Sequence, residues 1–277
     1  MIWAIYRIHY GTDYLKASIK SIEKHVDRIF IFYSEQPWII SKNVEYKNET
    51  IKFPNNPENV REFVSTNFTG DKFIIKNYEF NTPLNQFGKL FNLACEITKI
   101  KPSYVLFIEP DMIFGKNQLK LLKTELKYKF WVRSLICKQI EIWKFDKEKN
   151  KRDTYRIPLR KRRIGPVLWK INNFNQNITT EFSGATQESQ KNFSTFVKIL
   201  NMGFSFNKKT MFYKHILAIV ASTKIGDSEP DENWYEKKWL NWNEKSQNLE
   251  ISKGSQHLIK KAIKYKIPYK YYQFLNI

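Results

Sequence analysis

Cysteine is nearly absent from this chain: Cys95 and Cys137 are the only two in 277 residues. Each sits in an apolar run, where a small buried thiol is the ordinary reading, so a disulfide framework is excluded and reducing conditions are expected. Long hydrophobic runs are missing as well. No stretch approaches the roughly 18 to 20 apolar residues that span a bilayer. The apolar opening MIWAIYRIHYG carries Arg7 where a signal peptide would need its cleavage region, so it reads as a first strand. A cytoplasmic chain without a transmembrane segment is the expectation. Acidic residues are also scarce, 27 against 47 basic ones, and none occurs from Ser252 to Ile277. The resulting formal charge of +20 favours a polyanionic partner, nucleic acid or an anionic membrane surface.

What is present describes a folded chain. Hydrophobic residues reach 42% and aromatics 16%, which excludes disorder and, at this length, permits one large α/β domain over residues 1–277. Part of the positive charge is compositional, since abundant Lys, Asn, Ile, Phe and Tyr suit an AT-rich genome. Arginine carries more information. Only nine occur, and Arg152, Arg156, Arg160, Arg162 and Arg163 fall within twelve residues. With Tyr155 and Trp169 nearby, that cluster suits phosphate contacts and stacking on a nucleic-acid base. A solvated loop or a dock for an anionic lipid carrier is the competing reading.

Hydrophobic periodicity orders the first third as alternating strand and helix. Ile2 to Tyr6, Ile29 to Tyr33, Lys72 to Lys76 and Tyr104 to Ile108 read as strands; Thr12 to Lys24, Glu58 to Asn67 and Phe87 to Thr98 read as helices. This alternation predicts an α/β fold whose mainly parallel, mixed sheet is flanked by helices, with ligands beyond the carboxyl ends of the strands. The alternation covers the first 115 residues, and 116–277 reads as a mixed region laid over them. In that second part Asn117 to Leu126 and Phe193 to Met202 read as helices, while Phe130 to Phe145 and Phe212 to His215 read as extended.

The sharpest local feature is VLFIEPDMIF, a buried strand that ends in Glu109, Pro110 and Asp111. Carboxylates one residue apart at a strand end point the same way and can grip one divalent ion. The run resembles the DxD motif of GT-A glycosyltransferases, with Glu in place of the first Asp. The preceding GKLFNLACEITKIKPSYVLFIEPD resembles the family-2 pattern through Gly88, Lys89 and Asn92. The resemblance covers about the first 115 residues. It implies a Rossmann-like GT-A fold with residues 1–115 as the nucleotide-sugar-binding half and 116–277 as the acceptor-binding half, a UDP-sugar donor, and Mn2+ or Mg2+ held by Glu109 and Asp111. It also implies a third ligand, His215, about a hundred residues further on.

Donor contacts are expected from Tyr6, Arg7, Tyr33 and Glu35 at the ends of the first two strands, with Lys89 and Asn92 beside them. Inverting members of the family place an acidic pair about a dozen residues before a Gly like Gly203. Lys191 and Asn192 stand at those positions here, so the catalytic base falls to Glu188 or Asp227. Trp234, Trp239 and Trp242 offer a stacking platform for an acceptor or simply pack a late lobe. For the acceptor, the basic chain suggests hydroxymethylated pyrimidine in DNA, as for phage-type enzymes. The alternatives are a surface polysaccharide or lipid-linked glycan, with peripheral membrane contact, and a non-catalytic nucleic-acid-binding protein.

Overall fold

In the computed structural model, residues 1–38, 41–80, 86–145, 152–157, 164–171, 192–225, 232–245 and 262–275 are described. The elements run β1 (Ile2–Ile8), α1 (Thr12–Ile22), β2 (Arg28–Tyr33), β3 (Asn43–Tyr46), β4 (Glu49–Lys52), α2 (Val60–Asn67), β5 (Phe73–Asn77), α3 (Phe87–Thr98), β6 (Tyr104–Ile108) and β7 (Met112–Ile113). They continue as α4 (Gln118–Tyr128), β8 (Ser134–Trp143), β9 (Asp153–Ile157), β10 (Ile164–Lys170), β11 (Asn192–Phe204), α5 (Lys208–Ile225), a π-helical segment (Trp234–Leu240), β12 (Ile263–Lys266) and α6 (Tyr269–Leu275).

β5, β2, β1 and β6 form a parallel block, as the alternating pattern predicts. β1 is buried on both faces because its side chains alternate between two cores. Ile2, Ala4, Tyr6 and Ile8 pack with Leu15, Ile19, Val64 and Leu122 from α1, α2 and α4. Trp3 and Ile5 pack with Leu90, Phe91 and Ala94 of α3. β10 then lies antiparallel to β6 and to β8, and β9 and β12 extend the sheet beyond β8.

The second half departs from parallel pairing and closes on itself. β7 pairs with β11, β11 with β8, β8 with β10 and β10 with β6, so hydrogen bonding returns to the strand the chain has just left. The three residues Glu109–Asp111 bridge β6 and β7 at that closure.

Two expected elements are reversed. Phe193 to Met202 belongs to β11 instead of a helix, because Thr195, Val197 and Ile199 are buried while Phe196 and Lys198 are exposed, a period of two that pays off in pairing with β8. Phe212 to His215 lies inside α5 instead of a strand. Apolar residues on every side of that helix hide its periodicity, and Met211, Tyr213, Ile216 and Leu217 are all buried.

One carboxylate joins three helices. Glu58, just before α2, accepts the Gly11 and Thr12 N–H groups at 2.9 and 2.8 Å and the Thr210 hydroxyl of α5 at 2.8 Å. Its charge also lies at the amino end of α1, where the helix dipole favours it. Gly11 has φ +99°, and a Cβ there would sit 3.2 Å from Pro110, so the turn before α1 requires glycine. Glu58→Ala is expected to lower unfolding free energy by about 2 kcal/mol, read from urea denaturation; an unchanged midpoint would remove this junction from the account.

Candidate active site

β6 is buried from Val105 to Ile108, and Glu109 is half-buried at its end. Pro110 has no N–H to give the sheet, so pairing stops and the chain turns through Asp111. The turn is held by its backbone. Met112 N–H donates to the Glu109 carbonyl at 3.2 Å, and Met202 N–H of β11 donates to the Asp111 carbonyl at 2.8 Å.

The missing side chain of Gly203 makes the room beside Asp111. An added Cβ would lie 2.8 Å from Asp111 Oδ2, 2.9 Å from Asn201 Oδ1 and 3.1 Å from Lys214 Nζ. Each neighbour is fixed in turn. Lys214 donates to the Gly203 carbonyl at 2.7 Å, and Asn201 accepts the Gly203 N–H at 2.8 Å while donating to Gln139 at 2.9 Å. Carboxylate, amide and ammonium therefore converge on one point of bare backbone.

On the other side stands Arg7, buried, its Cζ 5.2 Å from the Trp38 ring centre and 4.6 Å from that of Phe80. Burial pulls its pKa down, with Glu109 and then Tyr10 pulling it back up. Burial likewise pushes the Glu109 carboxyl up to about 7; Arg7 opposes this, Asp111 adds to it and Lys214 opposes it. His9 is held through both ring nitrogens, 2.9 Å from the Ser34 carbonyl and 2.7 Å from the Tyr213 hydroxyl. Its pKa is lowered, first by burial, which matches a neutral ring donating from Nδ1 to the carbonyl and accepting at Nε2.

These groups line a pocket of about 260 Å³ at the carboxyl ends of β1 and β6, with Tyr10, Trp38 and Phe206 as aromatic walls. The Trp38 indole N–H is buried and finds no hydrogen-bond partner among the described residues. A larger cavity of about 720 Å³ lies beyond β2, lined by polar groups that include Glu35, Lys42, Asn43 and Asn56. Tyr213 borders that cavity and bonds to His9, which lines the first.

Of the residues expected from sequence, Glu109, Asp111 and Arg7 meet in the smaller pocket, and Glu35 lies in the larger one. His215 does not join them. It faces the other way on α5, with Nε2 3.2 Å from the Glu232 carbonyl and its ring against Tyr46, Trp234 and Tyr235; Lys214, one residue earlier, reaches the pocket instead. Among the described residues no group of three His, Cys, Asp or Glu could hold a metal ion.

Tyr6 is fully buried beneath the sheet with its hydroxyl 3.0 Å from Ser18, because a residue inside β1 points to one core or the other. Tyr33 is core for the same reason. Lys89 and Asn92 lie on α3 and line neither cavity. Trp234 and Trp239 are buried, Trp239 bonding the Phe204 carbonyl at 2.8 Å, so packing takes them instead of an acceptor platform. Arg152 donates to the Ile267 carbonyl at 2.8 Å and Arg156 lies 5.6 Å from the Tyr265 ring centre, fastening β9 to the chain around β12. Glu188, Asp227, Arg160, Arg162 and Arg163 fall outside the described residues.

Sequence reasoning missed Asn201, Lys214, Tyr10, Trp38 and Phe206. Only the neighbourhood of Gly203 and the nearness of Lys214 to a suspected His hinted at them.

No family model matches the chain, and no curated protein matches it in sequence. Solved structures resemble it distantly. TarS 1–349 of S. aureus in complex with UDP-GlcNAc is 14% identical over 51% of this chain and 35% of its own, with a TM-score of 0.33. Glucosyl-3-phosphoglycerate synthase of Mycobacterium tuberculosis with Mn2+, UDP and phosphoglyceric acid is 13% identical over 51% of this chain and 43% of its own, at 0.31. The manganese complex of Rv0371C from Mycobacterium tuberculosis H37Rv is 7% identical over 78% and 97%, at 0.42. This chain thus spans about a third of the TarS structure and under half of the synthase. Likeness this distant decides neither fold nor function.

Gly203→Ala is expected to drive Asp111 or Asn201 from its place and to lower unfolding free energy by about 1–3 kcal/mol in denaturant melts. A variant as stable as the parent, with the Asp111 carboxylate unmoved in its structure, would contradict the convergence described above.

Proposed function

We propose that the chain is a GT-A-type glycosyltransferase that binds a UDP-sugar with Mn2+ or Mg2+ and passes the sugar to a hydroxyl acceptor. The observation that carries the reading is the pairing of two half-buried carboxylates with two cations, Arg7 and Lys214, in one pocket at the carboxyl ends of parallel strands. Two carboxylates without a third protein ligand among the described residues fit an ion that takes its remaining oxygens from phosphate and water. A cation between them would also hold Glu109 ionised against burial. When bound, the ion would neutralise charge developing on the departing diphosphate.

The chain's own groups supply the rest. Arg7, fixed between two aromatic rings, and Lys214, fixed by the Gly203 carbonyl, bring positive charge at no cost of reorganisation. Tyr10, Trp38 and Phe206 keep water from the reacting centre, and the Trp38 N–H is a donor for the ligand. The larger cavity, with Glu35 at its wall, has the size and polarity for the nucleoside. The base that activates the acceptor is Glu188 or Asp227. Hydroxymethylated pyrimidine in DNA is the proposed acceptor, on the strength of the Arg cluster and the +20 charge.

Asp111→Ala is expected to reduce Mn2+-dependent release of UDP from a UDP-sugar by roughly a hundredfold or more with the circular dichroism spectrum unchanged. Metal-dependent turnover surviving in that variant would remove Asp111 from the mechanism. For the acceptor, replacing Arg160, Arg162 and Arg163 by Ala is expected to flatten the log–log salt dependence of duplex DNA binding by roughly 2 to 3. An unchanged slope, or no sugar adduct by mass spectrometry on hydroxymethylated DNA, would redirect the search to a glycan acceptor.

A further inference from the structure

The edge of the sheet opposite the pocket is apolar and basic at once. Nine large hydrophobic residues are exposed among those described, and six of them, Met1, Ile97, Ile100, Tyr128, Phe130 and Trp131, lie where the parallel strands begin or where α3 and α4 end. Their placement is fixed by backbone bonds along that edge. Ser103 N–H donates to the Met1 carbonyl, Ile171 N–H to Ser103, and Lys170 N–H to Arg133, which ties the starts of β1, β6 and β8 and the end of β10 into one row. Three inter-strand steps put Met1 and Arg133 roughly 15 Å apart.

Tyr128, Phe130 and Trp131 are 76%, 75% and 64% exposed, so most of each side chain faces solvent. The Phe130 and Trp131 rings meet edge to face at 5.0 Å, a paired knob following α4. Lys99, Lys101, Lys127 and Arg133 are exposed around them. Lys24 and Lys120 converge on His25 nearby, each lowering its pKa after burial has done so. The acids at this edge are fewer than the cations: Glu23 pairs with Lys20 and Glu125 with Lys129, Asp27 accepts the Ile2 N–H at 2.5 Å, and Asp71 and Glu96 are exposed.

We propose that this edge docks on an anionic lipid bilayer, with Phe130 and Trp131 entering the headgroup region and the surrounding Lys and Arg meeting acidic headgroups. Charge complementarity selects the partner, since a second copy of the chain meeting it by the same edge would set Lys99, Lys101, Lys127 and Arg133 against their own like charges. Shape narrows it further. A protruding aromatic pair needs a surface that yields, and Trp and Tyr beside basic residues are the groups that settle at the interface of a bilayer. The inference is independent of the chemistry proposed for the pocket.

The test is co-sedimentation of the full chain with phosphatidylcholine vesicles prepared with and without phosphatidylglycerol. Binding is expected only with the anionic lipid, and Phe130→Ala with Trp131→Ala should weaken it by roughly tenfold or more. Lys101→Glu with Lys127→Glu, at exposed positions that leave packing untouched, should weaken it by a similar factor. Brominated lipid should quench part of the tryptophan emission, and Trp131→Phe should remove that part while binding persists. Absence of binding to anionic vesicles, or equal binding by both double variants, would overturn the proposal. Loss of duplex DNA binding instead of vesicle binding would assign the edge to nucleic acid, and a change of sedimentation coefficient alone would assign it to self-association.

Discussion

Two carboxylates one residue apart repel each other, and burial raises the free energy of each charge further. A turn such as Glu109–Asp111 therefore persists only if the surrounding backbone leaves it no alternative. Here the circuit of pairing from β6 through β10, β8, β11 and β7 does so, because the strand before the turn and the strand after it belong to one hydrogen-bonded loop. Pro110 stops the ladder, and the Met202 N–H seizes the Asp111 carbonyl. What remains of the repulsion falls on the side chains. Burial first, and Asp111 after it, push the Glu109 carboxyl up to about 7, and Arg7 and Lys214 are the two charges that work against the shift.

The same constraint explains why the pocket is built from distant parts of the chain. Asp111 needs a neighbour with no side chain, which is Gly203 on β11; Lys214 reaches it from the following helix, and Arg7 arrives from β1. Glu58 holds the amino ends of α1 and α5 to one carboxylate, which sets where Lys214 can stand relative to the turn. Stability and site geometry are thus partly the same contacts. Loosening the helix junction should be felt at the carboxylates.

How much of this could be read without coordinates depends on how local each signal is. The parallel block was legible because a buried strand writes its own pattern, and Tyr104 to Ile108 ending in Glu-Pro-Asp announces both the strand and its stop. β11 and α5 were misread for a shared reason. Their apolar residues answer to tertiary partners on more than one side, so the spacing in β11 imitates a helix and the spacing in α5 shows no face at all. His215 illustrates the limit at the site. Its distance along the chain suits a ligand, but one step along a helix turns a side chain by about 100°, and that step gave the pocket to Lys214. Asn201 could not be found at all, since only pairing of β11 with β7 brings it beside Asp111.

Strand length sets the relation between the two ends of the molecule. β1 has seven residues, so the pocket stands roughly 20 Å from the edge that carries Phe130 and Trp131. A chain resting on a bilayer by that edge would hold its carboxylates well above the headgroups and open toward solution, beyond the reach of a short lipid-anchored hydroxyl. The geometry then favours an acceptor that comes from solution, long and flexible or a duplex, over one embedded in the membrane. Charge acts at both ends in this arrangement. The basic residues at the docking edge would hold the chain in place, while Arg7 and Lys214, pinned by rings and a carbonyl, stand at the pocket.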